Sequence, residues 1–201
     1  MGCILSGLGW TPKTSMDPVA PEASMPTLEL SLQEQELLTE SWTLIQQDIA
    51  KVGVIIFIRL FETHPECKDT FFLFRDVDDL QGLRMSKDLR AHGLRVLSFV
   101  EKSVARIENS SRLEELILEL GKSHYRYNAP PQYYQYVGME FISAVCPILK
   151  EKWTSEVEEV WKVLFRYICA VMEAGYREEE KHRNVKGGTT KPLKRSQTTA
   201  I

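Results

Sequence analysis

Between about residue 29 and residue 180 the apolar residues of this chain recur every three or four positions, and almost nowhere do they alternate. That spacing lines them up on one face of successive helices, and such a helix is stable only when the face is buried against another element. The stretch is therefore expected to fold as an all-α domain. A hydrophobic share of 43% can fill one sizeable core. No apolar run reaches the roughly 20 residues that a bilayer-spanning helix needs.

Local signals mark where the helices begin and end. Ser31-Leu32-Gln33-Glu34 has the pattern of a capping box, opening a helix with Leu37, Leu38, Trp42, Ile45 and Ile49 on one face. Gly53 is read as the break before a second helix that runs to about Thr63. His64-Pro65 then forces a turn, because a residue before proline disfavours the helical region. A long helix is expected from about Ser86 to Ile107, with Leu89, Val96, Val100, Val104 and Ile107 in its stripe. Ser111-Arg112-Leu113-Glu114 reads as a second capping box, starting a shorter helix through His124. Asn128-Ala129-Pro130-Pro131 ends it, and Pro131 suits the first position of the next helix. Two long helices follow, over about 132–149 and 154–178, with Pro147 kinking or ending the first.

The flanks have a different composition. Residues 1–28 hold four of the nine prolines among small and polar residues and read as an extended linker. Residues 181–201 carry Lys181, Arg183, Lys186, Lys191, Lys194 and Arg195 with no acid, and read as a disordered basic tail. The folded domain is thus expected over 29–180. The net charge of −3 argues against a nucleic-acid partner, since phosphate neutralisation calls for a basic surface. Cys3, Cys67, Cys146 and Cys169 lie too far apart for a zinc site. No secretory signal opens the chain, so a reducing setting with free thiols is expected. No phosphate-cradling glycine loop or nucleophile motif is present to support a kinase or hydrolase.

Two histidines stand out. His92 falls in the apolar stripe of the long helix, four residues before Val96. His124 closes the stripe of Leu113, Leu116, Ile117 and Leu120 near a helix end. A buried imidazole needs a partner for each ring nitrogen, either a hydrogen-bonding group or a metal. Around them lie Arg59-Leu60-Phe61 leading to Pro65, then Phe71 and Phe74, then Leu89-Arg90-Ala91-His92-Gly93-Leu94-Arg95-Val96-Leu97, and last Leu120-Gly121-Lys122-Ser123-His124.

With these residues at this spacing, the chain resembles the globin family from about residue 31 to 178. Within that family it is most similar to the globin X group, vertebrate globins related to neuroglobin. The resemblance implies a globin fold of about eight helices around a pocket for haem b, an iron protoporphyrin. It implies His124 as the proximal iron ligand and His92 as the distal histidine, able to bind iron itself and to act in catalysis. Phe71 and Phe74 would support the porphyrin, Phe57 and Val96 would line the distal pocket, and Leu120 would pack beneath the haem. Arg95 has the reach to meet a haem propionate. Phe57 departs from the smaller aliphatic residue of oxygen-storage members.

Met1-Gly2-Cys3-Ile4-Leu5-Ser6 fits N-myristoylation at Gly2, with Cys3 beside it as a palmitoylation site. Attachment to the cytoplasmic face of the cell membrane follows as an expectation. Thr199-Ala200-Ile201 fits a PDZ-type ligand. The functional expectation is a membrane-tethered, bis-histidine globin that binds O2, NO or CO. It would do redox chemistry such as nitrite reduction or protection of lipids from oxidation, with electrons from an unidentified donor. A plain oxygen-binding or sensing globin and a haem-less lipid-anchored interaction module are the alternatives.

Overall fold

A computed structural model describes residues 25–77 and 79–187. Gly2, Cys3, most of the proline-rich linker and Thr199-Ala200-Ile201 lie outside the described residues. Among those described there are seven α-helices and no strand: α1 Leu32–Ile45, α2 Ile49–Thr63, α3 Leu80–Met85, α4 Lys87–Val104, α5 Ser110–Arg126, α6 Tyr134–Leu149 and α7 Ser155–Gly187. The sequence reading expected about eight helices. Four 3-10 stretches lie between these helices, and the longest is Pro65–Thr70, where a proline at the first position starts a short, tightly wound run.

Most helix ends follow their sequence signals. The Ser31 hydroxyl accepts from the Glu34 N–H at 3.3 Å, and the Glu34 carboxylate accepts from the Ser31 N–H at 2.8 Å, closing the capping box. Ser86 caps α4 by accepting from the Leu89 N–H. Asn128 stops α5 in the left-handed region at φ 60°, which asparagine tolerates better than most residues. Pro147 sits two residues before the last residue of α6, and the chain then turns at Lys150 with φ 49°.

Three expectations are corrected. The cap of α5 is Asn109, whose amide oxygen accepts from the Arg112 N–H at 3.1 Å, so Ser111 lies inside the first turn rather than before it. Asparagine caps as well as serine does, and it comes first along the chain. Helix α7 does not stop near 178 but continues to Gly187, seven residues past the composition boundary at 180. Glu179 holds this part of the helix by accepting from Arg183 one turn on and from Arg126 of α5. Gly53, finally, does not separate helices. The break falls at the 3-10 turn Gln46–Asp48, and Gly53 lies buried within α2.

Gly53 is there because another helix passes through the space a side chain would fill. A Cβ on Gly53 would meet the Gly93 backbone carbonyl carbon at 2.8 Å, and one on Gly93 would meet that of Gly53 at 2.7 Å. Helices α2 and α4 therefore cross main chain against main chain. A second such crossing joins α5 to α7: a Cβ on Gly121 would lie 2.1 Å from the Met172 carbonyl oxygen, and one on Gly175 would lie 2.3 Å from that of Leu118.

Around these crossings the apolar faces form two clusters. The larger one collects Leu38, Trp42 and Ile45 of α1 with Phe141 of α6 and Trp161 and Leu164 of α7. Here the Trp161 indole N–H donates to the Ser41 hydroxyl at 3.0 Å. The smaller one collects Phe57, Ile58, Leu60 and Phe61 of α2 with Cys67, Phe74, Leu83 and Leu89. Val137 of α6 packs against both. Between α2 and α6 the buried Glu140 carboxylate accepts from Arg59 at 2.7 Å and from the Thr63 hydroxyl at 2.9 Å.

Since backbone cannot yield as a side-chain tip can, Gly121→Ala is expected to cost about 3 kcal/mol by forcing α5 off α7. Urea unfolding would measure it, and a loss under about 1 kcal/mol would mean that the two helices part freely.

Candidate functional site

Each crossing lies close in sequence to a histidine: Gly93 follows His92, and Gly121 precedes His124 by one turn. His124 stands one turn after Gly121, on the α5 face that buries Leu113 and Ile117. Its Nδ1 lies 2.8 Å from the Leu120 carbonyl oxygen. A carbonyl can only accept, so Nδ1 carries the proton and Nε2 keeps a lone pair. The Tyr134 ring meets the imidazole edge-on at 5.3 Å and 77°, and its hydroxyl is anchored by donating to the Ala129 carbonyl at 3.0 Å. Burial pushes the His124 pKa below its usual value, while the bond to Leu120 pulls the other way. The ring is thus a neutral imidazole with one nitrogen spoken for.

His92 precedes Gly93 on α4. Its imidazole meets the edges of Phe57 at 4.8 Å and Phe71 at 5.4 Å. The Nδ1 atom lies 3.2 Å from a terminal nitrogen of Arg95. Burial lowers the His92 pKa to about 4, assisted by the Arg95 charge and by His124.

The walls are aromatic on the His92 side. Phe71 packs edge-on against Phe57 at 5.6 Å and against Phe61 at 5.4 Å, and lies 6.1 Å from Phe74. Val96 packs against the same cluster. Leu120 is half-buried against the larger cluster, away from Phe57 and Phe71. Of the residues singled out from the sequence, Phe57, Phe71, Phe74, His92, Arg95 and Val96 come together, and Leu120 serves His124. Phe61 and Tyr134 were not anticipated. Phe61 follows Phe57 by one turn of α2, a spacing legible in hindsight. Tyr134 meets His124 only through the tertiary fold. Cys67, Cys146 and Cys169 are free thiols, and burial raises Cys67 and Cys169 to about 11.

Such a donor set suits a flat, apolar, iron-bearing macrocycle. A histidine that ligates a metal commonly donates its other ring N–H to a backbone carbonyl, as His124 does to Leu120. Haem binding further needs apolar walls and a controlled opposite face.

The Globin family model matches residues 54–172. The chain belongs to the globin family. Its relatives include a cytoglobin-1 of Oryzias latipes, 27% identical over 150 residues that cover 74% of this chain and 85% of the relative. A neuroglobin-1 of Oncorhynchus mykiss is 26% identical over 155 residues, covering 77% and 98%. Among solved structures, a hexacoordinated haem protein from an anhydrobiotic tardigrade superposes with a TM-score of 0.70 at 19% identity, over 75% of this chain and 97% of that one. At that identity the likeness speaks for the fold. Haem is the cofactor that membership assigns to this globin, and diatomic gases are its ligands.

The buried state of His92 has a pH signature in the haem-free chain. Unfolded, the imidazole gains a proton near pH 6.5; folded, it does so only near pH 4. Between these values the unfolded state binds more protons, so stability falls as pH drops, by on the order of 3 kcal/mol for this group. Urea midpoints from pH 7 to 4 should show the slope, and His92→Phe should flatten it. An unchanged slope in that variant would place the His92 ring in water.

Proposed function

We propose that this globin holds haem with His124 as the proximal ligand through Nε2 and His92 over the opposite face, and that His92 takes the sixth position when no gas is present. The observation that carries the reading is the hydrogen bond from His124 Nδ1 to the Leu120 carbonyl, which leaves Nε2 as the one lone pair on that ring. The aromatic rings of Phe57 and Phe71 packed edge-on around His92 support the second ligand, as does the hexacoordinated character stated for the tardigrade protein. Phe71 and Phe74 would press on the macrocycle edge, Phe57 and Val96 would line the gas side, and Leu120 would support the His124 side.

When bound, haem supplies an iron centre that takes up gases and exchanges electrons. The chain's own residues do the rest. His124 fixes the ring plane through its bond to Leu120. Phe57, Phe61 and Phe71 keep water from the His92 face. His92 Nε2–H can donate a hydrogen bond to a gas or a nitrite oxygen, and once protonated from solvent the imidazolium could deliver the proton that nitrite reduction consumes, while an external reductant supplies the electron. This favours a redox role, such as nitrite reduction or protection of lipids from oxidation, over oxygen carriage in bulk. A plain gas-binding or sensing globin is the second reading, favoured by the contact between Arg95 and His92 Nδ1.

Acylation at Gly2 and Cys3 would place this chemistry at the cytoplasmic face of the cell membrane. Two chains are needed, because a single myristoyl group binds a bilayer only marginally. No helix among the described residues is long and apolar enough to cross a membrane.

The ferrous, gas-free protein is expected to show a six-coordinate low-spin absorption spectrum, and a five-coordinate one would favour the gas-binding reading. His124→Ala should lose stable haem, whereas His92→Ala should keep it and turn five-coordinate. In cells, Gly2→Ala should move the protein from membrane to soluble fractions; retention at the membrane would count against the acyl anchor.

A further inference from the structure

The two histidines are held by partners of opposite polarity. At His124 the partner is a carbonyl, which accepts. At His92 it is a guanidinium, which carries five N–H donors, accepts nothing and does not deprotonate in proteins. The consequences for the rings are opposite. His124 is preset with its proton on Nδ1 and its lone pair on Nε2. His92 must present the Nδ1 lone pair to Arg95, so its proton sits on Nε2.

In that tautomer His92 cannot ligate through either nitrogen. Nδ1 is occupied by Arg95 and Nε2 bears a hydrogen. The Nε2–H can still donate to a bound gas or anion. For Nε2 to coordinate, the proton must leave it and another must arrive on Nδ1 by exchange with solvent, with no change in net charge. Nδ1–H would then face the guanidinium donor against donor, so Arg95 has to withdraw first. It can do so, because it is exposed on the surface of α4 one turn beyond His92.

We propose that Arg95 is a positioning residue that sets the tautomer of His92: docked on Nδ1 it holds His92 as a hydrogen-bond donor to ligand, and withdrawn it releases His92 to become the sixth ligand. The proposal rests on the haem arrangement above. It goes beyond that arrangement by naming the side chain that divides the molecule between its gas-binding and bis-histidine states. A propionate would compete with His92 for the same guanidinium, so haem seating and His92 release would be coupled.

The experiment uses the haem-loaded chain with Arg95→Lys, Arg95→Ala and Arg95→Glu. Lysine is again only a donor, alanine offers no partner, and glutamate is an acceptor that favours the proton on Nδ1. The ratio of six- to five-coordinate ferrous protein should rise in the order Arg, Lys, Ala, Glu, by about fivefold or more from Arg to Ala for a charge-assisted hydrogen bond. The C–O stretch of the carbon monoxide complex gives a second readout, since there His92 is off the iron in every variant. Donation from Nε2–H lowers that frequency, so the low-frequency band should persist in Lys and fade in Ala and Glu towards the pattern of His92→Ala. Identical ratios and identical C–O bands in all four proteins would overturn the proposal. Five-coordinate spectra throughout, with the C–O bands still ordered as stated, would sink the bis-histidine reading and with it the release of His92 to the iron, leaving Arg95 only its hold on the His92 tautomer.

Discussion

Everything at the site depends on backbone meeting backbone at two places. Where α2 crosses α4, Gly53 and Gly93 leave no room for a side chain on either helix. Where α5 crosses α7, Gly121 and Gly175 do the same against Met172 and Leu118. One crossing is adjacent in sequence to His92 and the other is one turn from His124. Ordinary side-chain packing lets helices shift by repacking rotamers, but main-chain contact does not. The relative placement of the two imidazoles is accordingly a property of the scaffold, and the residues around them are free to serve the chemistry.

On that scaffold, partner polarity divides the labour. Both imidazoles are half-buried, and desolvation lowers the pKa of each, so burial alone would treat them alike. What distinguishes them is whether the neighbour of Nδ1 accepts or donates. The Leu120 carbonyl is part of the α5 backbone and cannot leave, so His124 has one permanent state. Arg95 is a long exposed side chain and can leave, so His92 has two. In the proposed haem arrangement, a fixed ligand and a conditional one would thus arise from the same residue type.

Much of this was legible in the chain, for reasons that separate local from distant causes. The capping box at Ser31, the turn at His64-Pro65 and the stop at Asn128 depend on a few consecutive residues, and they stand where the sequence put them. His92, Phe71, Phe74, Val96, Leu120 and His124 could be singled out because their spacing is itself a pattern. The role of Gly53 could not be read, because a glycine in an apolar helix looks like a break until the crossing helix is known. Tyr134 falls in the same class, since its partner is ten residues away and on another helix. The cap at Asn109 was missed for a local reason: two good capping residues stand close together, and the more familiar motif was preferred. The length of α7 was missed because composition sees the bases after 180 but not Arg126, which reaches across from α5 to Glu179.

That last contact gives the C-terminal part of α7 a mechanical meaning. Glu179 is gripped from one side by Arg126, two residues after His124, and from the other by Arg183. The two arginines hold its carboxyl down at about 2, so the grip keeps its charge in any compartment a cell maintains. With 33 residues at about 1.5 Å each, α7 is a rod some 50 Å long. A force applied at its far end would travel along the rod and reach the end of α5 that carries His124 through two neighbouring ion pairs, Arg126 with Glu179 and Lys122 with Glu178.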